Sequence, residues 1–273
     1  MRRVDVGGLN LDVAAAGSGE PIALVQTALT ADELTPLARA LVDRGFRAIG
    51  YHRRGYGDST PVHGPGSVAR DADDCRRIVD ALGLSRVHIV GYSYSGAVGL
   101  QLAAYAPERV RSLTLIEPPP LHVPSAGEFR AANERLLATR SVRGVSAAFE
   151  EFLSLLSGPE WRTTWERRLP GAVEQMQRDA ATFFDTDLPA LFSWQFGPED
   201  ARRITCPVLH VGGSASGPWF AEVRELVATW LPDAESALIE GADHSLPITH
   251  TQQVADAITE FVGRHVIPDA HPR

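Results

Sequence analysis

A chain of 273 residues with 44% hydrophobic content is long enough to bury a substantial core without help from disulfides. Its formal charge of −8, with acids and bases interspersed, argues against nucleic acid as the main partner, because phosphate binding needs a concentrated basic face. No apolar run follows Met1-Arg2-Arg3-Val4-Asp5-Val6, so neither a signal peptide nor a membrane span is expected, and Cys75 and Cys206 lack metal-ligand spacing, which suits a reducing, cytoplasmic setting.

Along the chain, short aliphatic runs alternate with longer helical patterns, as in a mostly parallel sheet covered by helices on both faces. Ile22-Ala23-Leu24-Val25 reads as a strand and residues 30–44 as a helix, with Leu34, Leu37, Ala38, Leu41 and Val42 on one face. Thr30 and Glu33 are placed to form its capping box. Phe46-Arg47-Ala48-Ile49 is the next strand, followed by a loop over residues 52–61 and a helix around residues 71–82. Arg86-Val87-His88-Ile89-Val90 reads as a buried strand, and Leu113-Thr114-Leu115-Ile116 as another after Pro107.

The pattern changes at Glu117-Pro118-Pro119-Pro120. From there to about residue 203 no strand pattern occurs, while Val145, Phe149, Phe152, Leu153 and Leu156 form an apolar helical stripe and Trp161, Trp165, Phe183, Phe184 and Trp194 supply aromatics. Residues 118–203 are therefore expected to be a helical cap inserted after the sixth strand, within a core domain of residues 1–117 and 204–273. Alternation resumes with Val208-Leu209-His210-Val211, a helix over residues 219–230, the strand Ala237-Leu238-Ile239, and a last helix bearing Val254, Ile258, Phe261 and Val262, capped by Thr249 with Gln252. The tail after Val266 is expected to be loose.

The most informative segment is Gly91-Tyr92-Ser93-Tyr94-Ser95-Gly96, where a strand gives way to a helix of small residues, Gly96, Ala97, Gly99, Ala103 and Ala104. A sharp strand-to-helix turn strains the central serine and exposes its hydroxyl at the sheet edge, and small residues on either side avoid a clash. Ser95 stands where the common form of this turn has glycine. A serine hydroxyl is a poor nucleophile near neutral pH and needs a neighbouring base to take its proton.

In order and spacing, this turn, Arg54-Gly55-Tyr56-Gly57-Asp58-Ser59 after the preceding sheet strand, and Gly241-Ala242-Asp243-His244 after the final strand resemble the α/β-hydrolase family with a helical cap. The likeness covers nearly the whole chain outside the cap. It implies Ser93 as nucleophile and His244 as its base, with His250 in reserve among nine histidines. Most relatives carry a carboxylate after the strand matched by Val208–Val211, but Gly212-Gly213-Ser214-Ala215-Ser216-Gly217 contains none. The resemblance then points to the alternative location, the end of the strand after the nucleophile helix, where Glu117 would orient His244; Asp243 is a weaker alternative. By position, the oxyanion donors would be the backbone amides of Tyr94 and Ala28, although Gln26-Thr27-Ala28 replaces the usual His-Gly and restricts that turn.

Serine at position 93 disfavours the chemistry of dehalogenases and epoxide hydrolases of this fold, which need an aspartate nucleophile. The family reading implies a serine hydrolase of the carboxylesterase type, acting on an ester, lactone or thioester without metal or organic cofactor, with peroxide replacing water as a variant. The expected partner is a small molecule with a hydrophobic portion, held by Gln26, Tyr92 and Trp194, in a monomer or homodimer. Arg53 and Arg54 could hold a substrate carboxylate. Two rival readings are a non-hydrolytic, cofactor-free oxygenase, lyase or cyclase that uses His244 as base, and a binding protein without turnover.

Overall fold

The computed structural model describes residues 1–267; all but the first of the residues in the tail after Val266 lie outside it. Eight strands form one sheet: β1 (Arg2–Asp5), β2 (Asn10–Ala16), β3 (Pro21–Val25), β4 (Arg47–Tyr51), β5 (Val87–Tyr92), β6 (Val110–Ile116), β7 (Val208–Gly213) and β8 (Glu235–Ile239), in the order β1-β2-β4-β3-β5-β6-β7-β8. From β4 to β8 all neighbours are parallel, with Leu24 beside Val90 and Leu115 beside His210. The first two strands pair antiparallel and were not foreseen. Their inward residues, Val4 on β1 and Leu11 and Val13 on β2, are too few to stand out from the polar residues between them.

Alternation along each strand sends neighbours to opposite faces. Ile22, Leu24 and Val90 face α1 (Thr35–Asp43) and, beyond β8, α12 (Thr251–Gly263), packing with Leu37, Leu41, Ile258 and Phe261. Ala23, Val25 and Ile89 face α2 (Val68–Ala81) and α3 (Tyr94–Tyr105), packing with Ile78, Ala97 and Val98 in a core that also takes in Val227 of α10 (Pro218–Trp230). Gly99 lets α3 lie close to the sheet, because a Cβ there would approach Leu113 Cδ1 to 2.9 Å.

Between β6 and β7 the chain forms α4 (Ala126–Arg143), α5 (Val145–Ser157), α6 (Trp161–Arg168), α7 (Ala172–Thr182), a π-helical turn (Phe183–Asp187), α8 (Leu188–Ser193) and α9 (Pro198–Ala201). The stripe residues Phe149 and Leu153 pack with Trp161, Trp165, Met176 and Phe184 in a third core, which also receives Leu29 and Ile248 from the sheet side.

Neither expected capping box forms. Helix α1 starts at Thr35, five residues later than the periodicity implies, because Pro36 suits a first turn and residues 31–34 form a separate turn. Glu33 is thereby left free of the helix. At α12 the N-cap is His250, without a side-chain cap bond; the Thr249 hydroxyl bonds back to the carbonyl of Ser245, the N-cap of α11 (Leu246–Thr249), and the Thr251 hydroxyl to that of Pro247 within α11.

Candidate active site

Strand β5 ends at Tyr92 and α3 begins at Tyr94, so Ser93 must reverse the chain alone, at φ 50° and ψ −122°. Gly91 permits this: a Cβ there would lie 2.3 Å from the Ser95 carbonyl oxygen. Ser95 fits in glycine's place because its hydroxyl is spent locally, accepting from Tyr92 N at 2.9 Å and donating to the Val25 carbonyl at 2.7 Å.

His244 follows β8 and reaches back to this turn, with Nε2 at 3.2 Å from Ser93 Oγ. Its Nδ1 lies 2.7 Å from Glu117 Oε2, so Nδ1 carries the proton and Nε2 presents its lone pair to the serine. Glu117 is fully buried at the end of β6, and its other oxygen accepts from Gly213 N at 2.8 Å. Burial raises the Glu117 carboxyl, but the imidazole and the Gly213 amide outweigh it and hold the group below its ordinary value. The acid-free glycine segment thus has a use: Gly213, the last residue of β7, brings its backbone amide to a carboxylate supplied by the neighbouring strand. Phe220 stacks on the imidazole with 4.1 Å between centroids, and the Tyr92 hydroxyl donates to the His244 carbonyl at 2.7 Å.

Among the described residues, three non-glycine residues have positive φ: Leu29 at 71°, Ser93 at 50° and Glu117 at 42°. All three belong to this site, where surrounding contacts must hold the strain. At Leu29 the contact is Tyr56, whose hydroxyl accepts the Leu29 amide at 2.8 Å. Among the described residues no protein acceptor takes the amide of Ala28 or of Tyr94, and both residues line the cavity over Ser93.

That cavity has a volume of about 350 Å³. Its floor is Thr27, Ala28, Tyr92, Ser93, Tyr94 and His244, and its roof includes Leu136, Phe152, Trp165 and Phe183 from the helical segment. A family model described as "alpha/beta hydrolase fold" matches residues 28–203, well over half of the chain. The chain belongs to the α/β-hydrolase family. Among curated relatives, "Putative carbamate hydrolase RutD" of Caulobacter sp. strain K31 is 29% identical over 238 residues, covering 83% of this chain and 84% of its own. A "Non-heme haloperoxidase" of Rhodococcus erythropolis is 25% identical over 273 residues, covering 90% of this chain and 93% of its own. Among solved structures, a thermophilic esterase from Thermogutta terrifontis superposes with a TM-score of 0.80 at 21% identity, covering 97% of this chain and 99% of the other.

Within this α/β hydrolase, two expected substrate contacts lie elsewhere. Trp194 is outside the cavity lining; its indole donates to Gln101 Oε1 at 2.8 Å and stacks on Phe196 in the core. Gln26 also stays out of the lining, its side-chain oxygen accepting from Arg53 N at 2.6 Å. Nor does Arg53 or Arg54 line the cavity. Arg53 is buried between Asp71 and Asp187, with Nη1 at 2.6 Å from Asp71 Oδ2 and Nη2 at 2.6 Å from Asp187 Oδ2, while Arg54 pairs with Asp74. Arg53 also donates to the carbonyls of Gln26 and Thr27, so it braces the turn that presents Ala28. Asp243 accepts from Ser245 N and His250 contacts Thr249, leaving His244 as the imidazole bonded to Ser93. The roles of Asp71, Asp187 and Tyr56 escaped the sequence reading, since a helical acid gives no sign of an arginine 134 residues away, the separation of Asp187 from Arg53. Among the described residues no helix is long and apolar enough to cross a membrane.

Proposed function

We propose that this protein is a serine hydrolase that cleaves a carboxylic ester, lactone or thioester bearing a hydrophobic portion, through an acyl-enzyme on Ser93. The observation that carries the reading is the continuous chain from Ser93 Oγ through His244 to Glu117, with bonds of 3.2 and 2.7 Å. As Ser93 attacks the carbonyl carbon, His244 Nε2 takes the hydroxyl proton, and Glu117 stabilises the imidazolium without itself becoming protonated. The oxygen gains charge within reach of the Ala28 and Tyr94 amides, each such donor being worth about 3 kcal/mol in the transition state. Collapse breaks the bond to the leaving group, which takes the proton from His244. Water then gives a proton to His244 and attacks the acyl carbon, and His244 returns that proton to Ser93 Oγ as the acyl–oxygen bond breaks and the carboxylic acid leaves.

The apolar roof suits an aliphatic or aromatic acyl or alcohol portion, and residues 118–203 act as the cap that excludes water from it. Related folds include an enol-lactonase from Burkholderia xenovorans besides the esterase, and the carbamate hydrolase name also describes attack on an acyl carbon. A second reading, in which peroxide replaces water in deacylation, is favoured by the haloperoxidase relative.

Fluorophosphonate labelling with peptide mapping tests the first step. Ser93 should be modified in the wild type and unmodified in His244→Ala, and Glu117→Gln should lower kcat on short p-nitrophenyl esters by about 10³- to 10⁴-fold. An unreactive Ser93 together with no ester turnover would overturn the proposal and direct attention to non-hydrolytic base chemistry at His244.

A further inference from the structure

Beyond β7 the chain enters α10, which opens with Pro218-Trp219-Phe220. The two aromatic side chains go different ways. Trp219 meets Phe129 edge to face, with 5.5 Å between centroids and 85° between planes, whereas Phe220 lies flat on His244, at 4.1 Å and 15°. Phe220 is half-buried and lines the cavity together with Ser93 and His244. The Tyr92 ring lies near the same imidazole but is tilted by 38°, with 5.1 Å between centroids. Glu117 and Ser93 take the two ring nitrogens in the imidazole plane, which leaves the ring faces for any further stabilising group, and Phe220 covers one of them.

We propose that Phe220 is a positioning residue for His244 that works by charge: its π face stabilises the imidazolium that forms in each transition state, beyond holding the plane of the ring. The inference rests on the reading of Ser93 and His244 as the reacting pair. The face of a benzene ring carries negative electrostatic potential and attracts a cation laid over it, the more so where water is excluded. A neutral imidazole gains little from that field, and an imidazolium gains much more. The contact is therefore stronger in the transition state than in the ground state, which is the condition for raising the rate of the chemical step. His244 takes a proton from Ser93 in acylation and from water in deacylation, so the same cation forms twice and Phe220 serves both half-reactions. An aliphatic side chain at this place would exclude water equally well, but it would leave the charge buried without compensation on that face.

The test compares wild type, Phe220→Leu, and proteins in which residue 220 is mono-, tri- or pentafluorophenylalanine. Ring fluorines withdraw density from the π face and nearly keep the ring's outline, so they separate charge from packing. Two readouts are taken: the rate at which a fluorophosphonate modifies Ser93, and kcat and KM on a short p-nitrophenyl ester. Phe220→Leu should lower the labelling rate and kcat by about three- to tenfold, with KM within about twofold of wild type. The logarithm of each rate should fall stepwise with the number of fluorines, and the pentafluoro protein should be as slow as Phe220→Leu or slower. Fluorinated proteins level with wild type in both readouts would overturn the proposal even if Phe220→Leu were slow, because a ring that only fills space or holds the imidazole's plane is indifferent to its fluorines. A wild type that neither labels at Ser93 nor turns over the ester would overturn the hydrolase reading and this inference with it, whereas a reactive wild type with a flat fluorine series would overturn this inference alone.

Discussion

Tyr56→Phe is the sharpest test of how the site is braced. The Tyr56 side chain is fully buried, its hydroxyl accepting from Leu29 N at 2.8 Å and donating to Asp187 Oδ2 at 2.5 Å. The substitution leaves the ring's packing in place and removes both bonds. A buried amide without an acceptor costs about 1–3 kcal/mol, while Asp187 retains two bonds from Arg53, so its loss is nearer 1 kcal/mol. The expected destabilisation is therefore about 2–4 kcal/mol out of a total of roughly 5–15 kcal/mol. Leu29 holds a left-handed backbone next to Ala28, so freeing it should also blur the oxyanion turn. If the Ala28 amide is a donor, the loss is at most one donor, about 3 kcal/mol or roughly 10²-fold in kcat, with KM little affected. Urea denaturation followed by circular dichroism and ester kinetics at pH 7 measure the two effects. A stability change below about 0.5 kcal/mol would refute the hydrogen-bond accounting. An unchanged kcat in a destabilised variant would refute the role given to Ala28.

Gly96→Ala should impair the acid rather than the nucleophile, since the added Cβ would sit 2.7 Å from Pro118 Cβ and 2.9 Å from its Cα, next to Glu117; we expect fluorophosphonate labelling to slow about tenfold in a folded protein, and unchanged labelling would show that Pro118 yields freely. His210 on β7 is buried and lacks a hydrogen-bond partner for either ring nitrogen among the described residues, and burial lowers it to about 4 despite the pull of Glu117. The unfolded chain therefore takes up this proton first as pH falls below 6.5, and stability declines until the folded value near 4 is reached. His210→Leu should flatten that part of the Tm-against-pH curve, and parallel curves for variant and wild type would refute the assignment.

What was legible in the sequence was what local sterics dictate. The turn at Ser93 needs small residues within three positions, so Gly91 and Gly96 announce it, and the acid-free loop after β7 turned attention to Glu117 at a strand end. The depth of the site was harder to read because tertiary contacts decide it. Gln26 and Trp194 have side chains that suit a ligand, yet Arg53 N and Gln101 occupy them. Arg53 and Arg54 look like a solvated or substrate-holding pair, and only the fold brings Asp71, Asp74 and Asp187 to them. Glu33 satisfies the spacing of a capping residue, but Pro36 moves the helix start past it and leaves a carboxyl against the cavity.

The pairing of Arg53 with Asp187 also limits how this protein can be rebuilt. Asp187 is the one carboxylate that the segment between β6 and β7 contributes to the buried cluster; its partners, Arg53 and Tyr56, belong to the core. A segment transplanted from a relative without a carboxylate at that place would strand the guanidinium of Arg53 beside Asp71 with half its counter-charge gone. Removing one partner of a buried pair typically costs about 3–5 kcal/mol, enough to unfold a marginal chimera before its new roof meets a substrate. Shuffling of this roof to change specificity is therefore open only to donors that carry the acid, or to exchanges that replace Arg53, Tyr56 and Asp187 together.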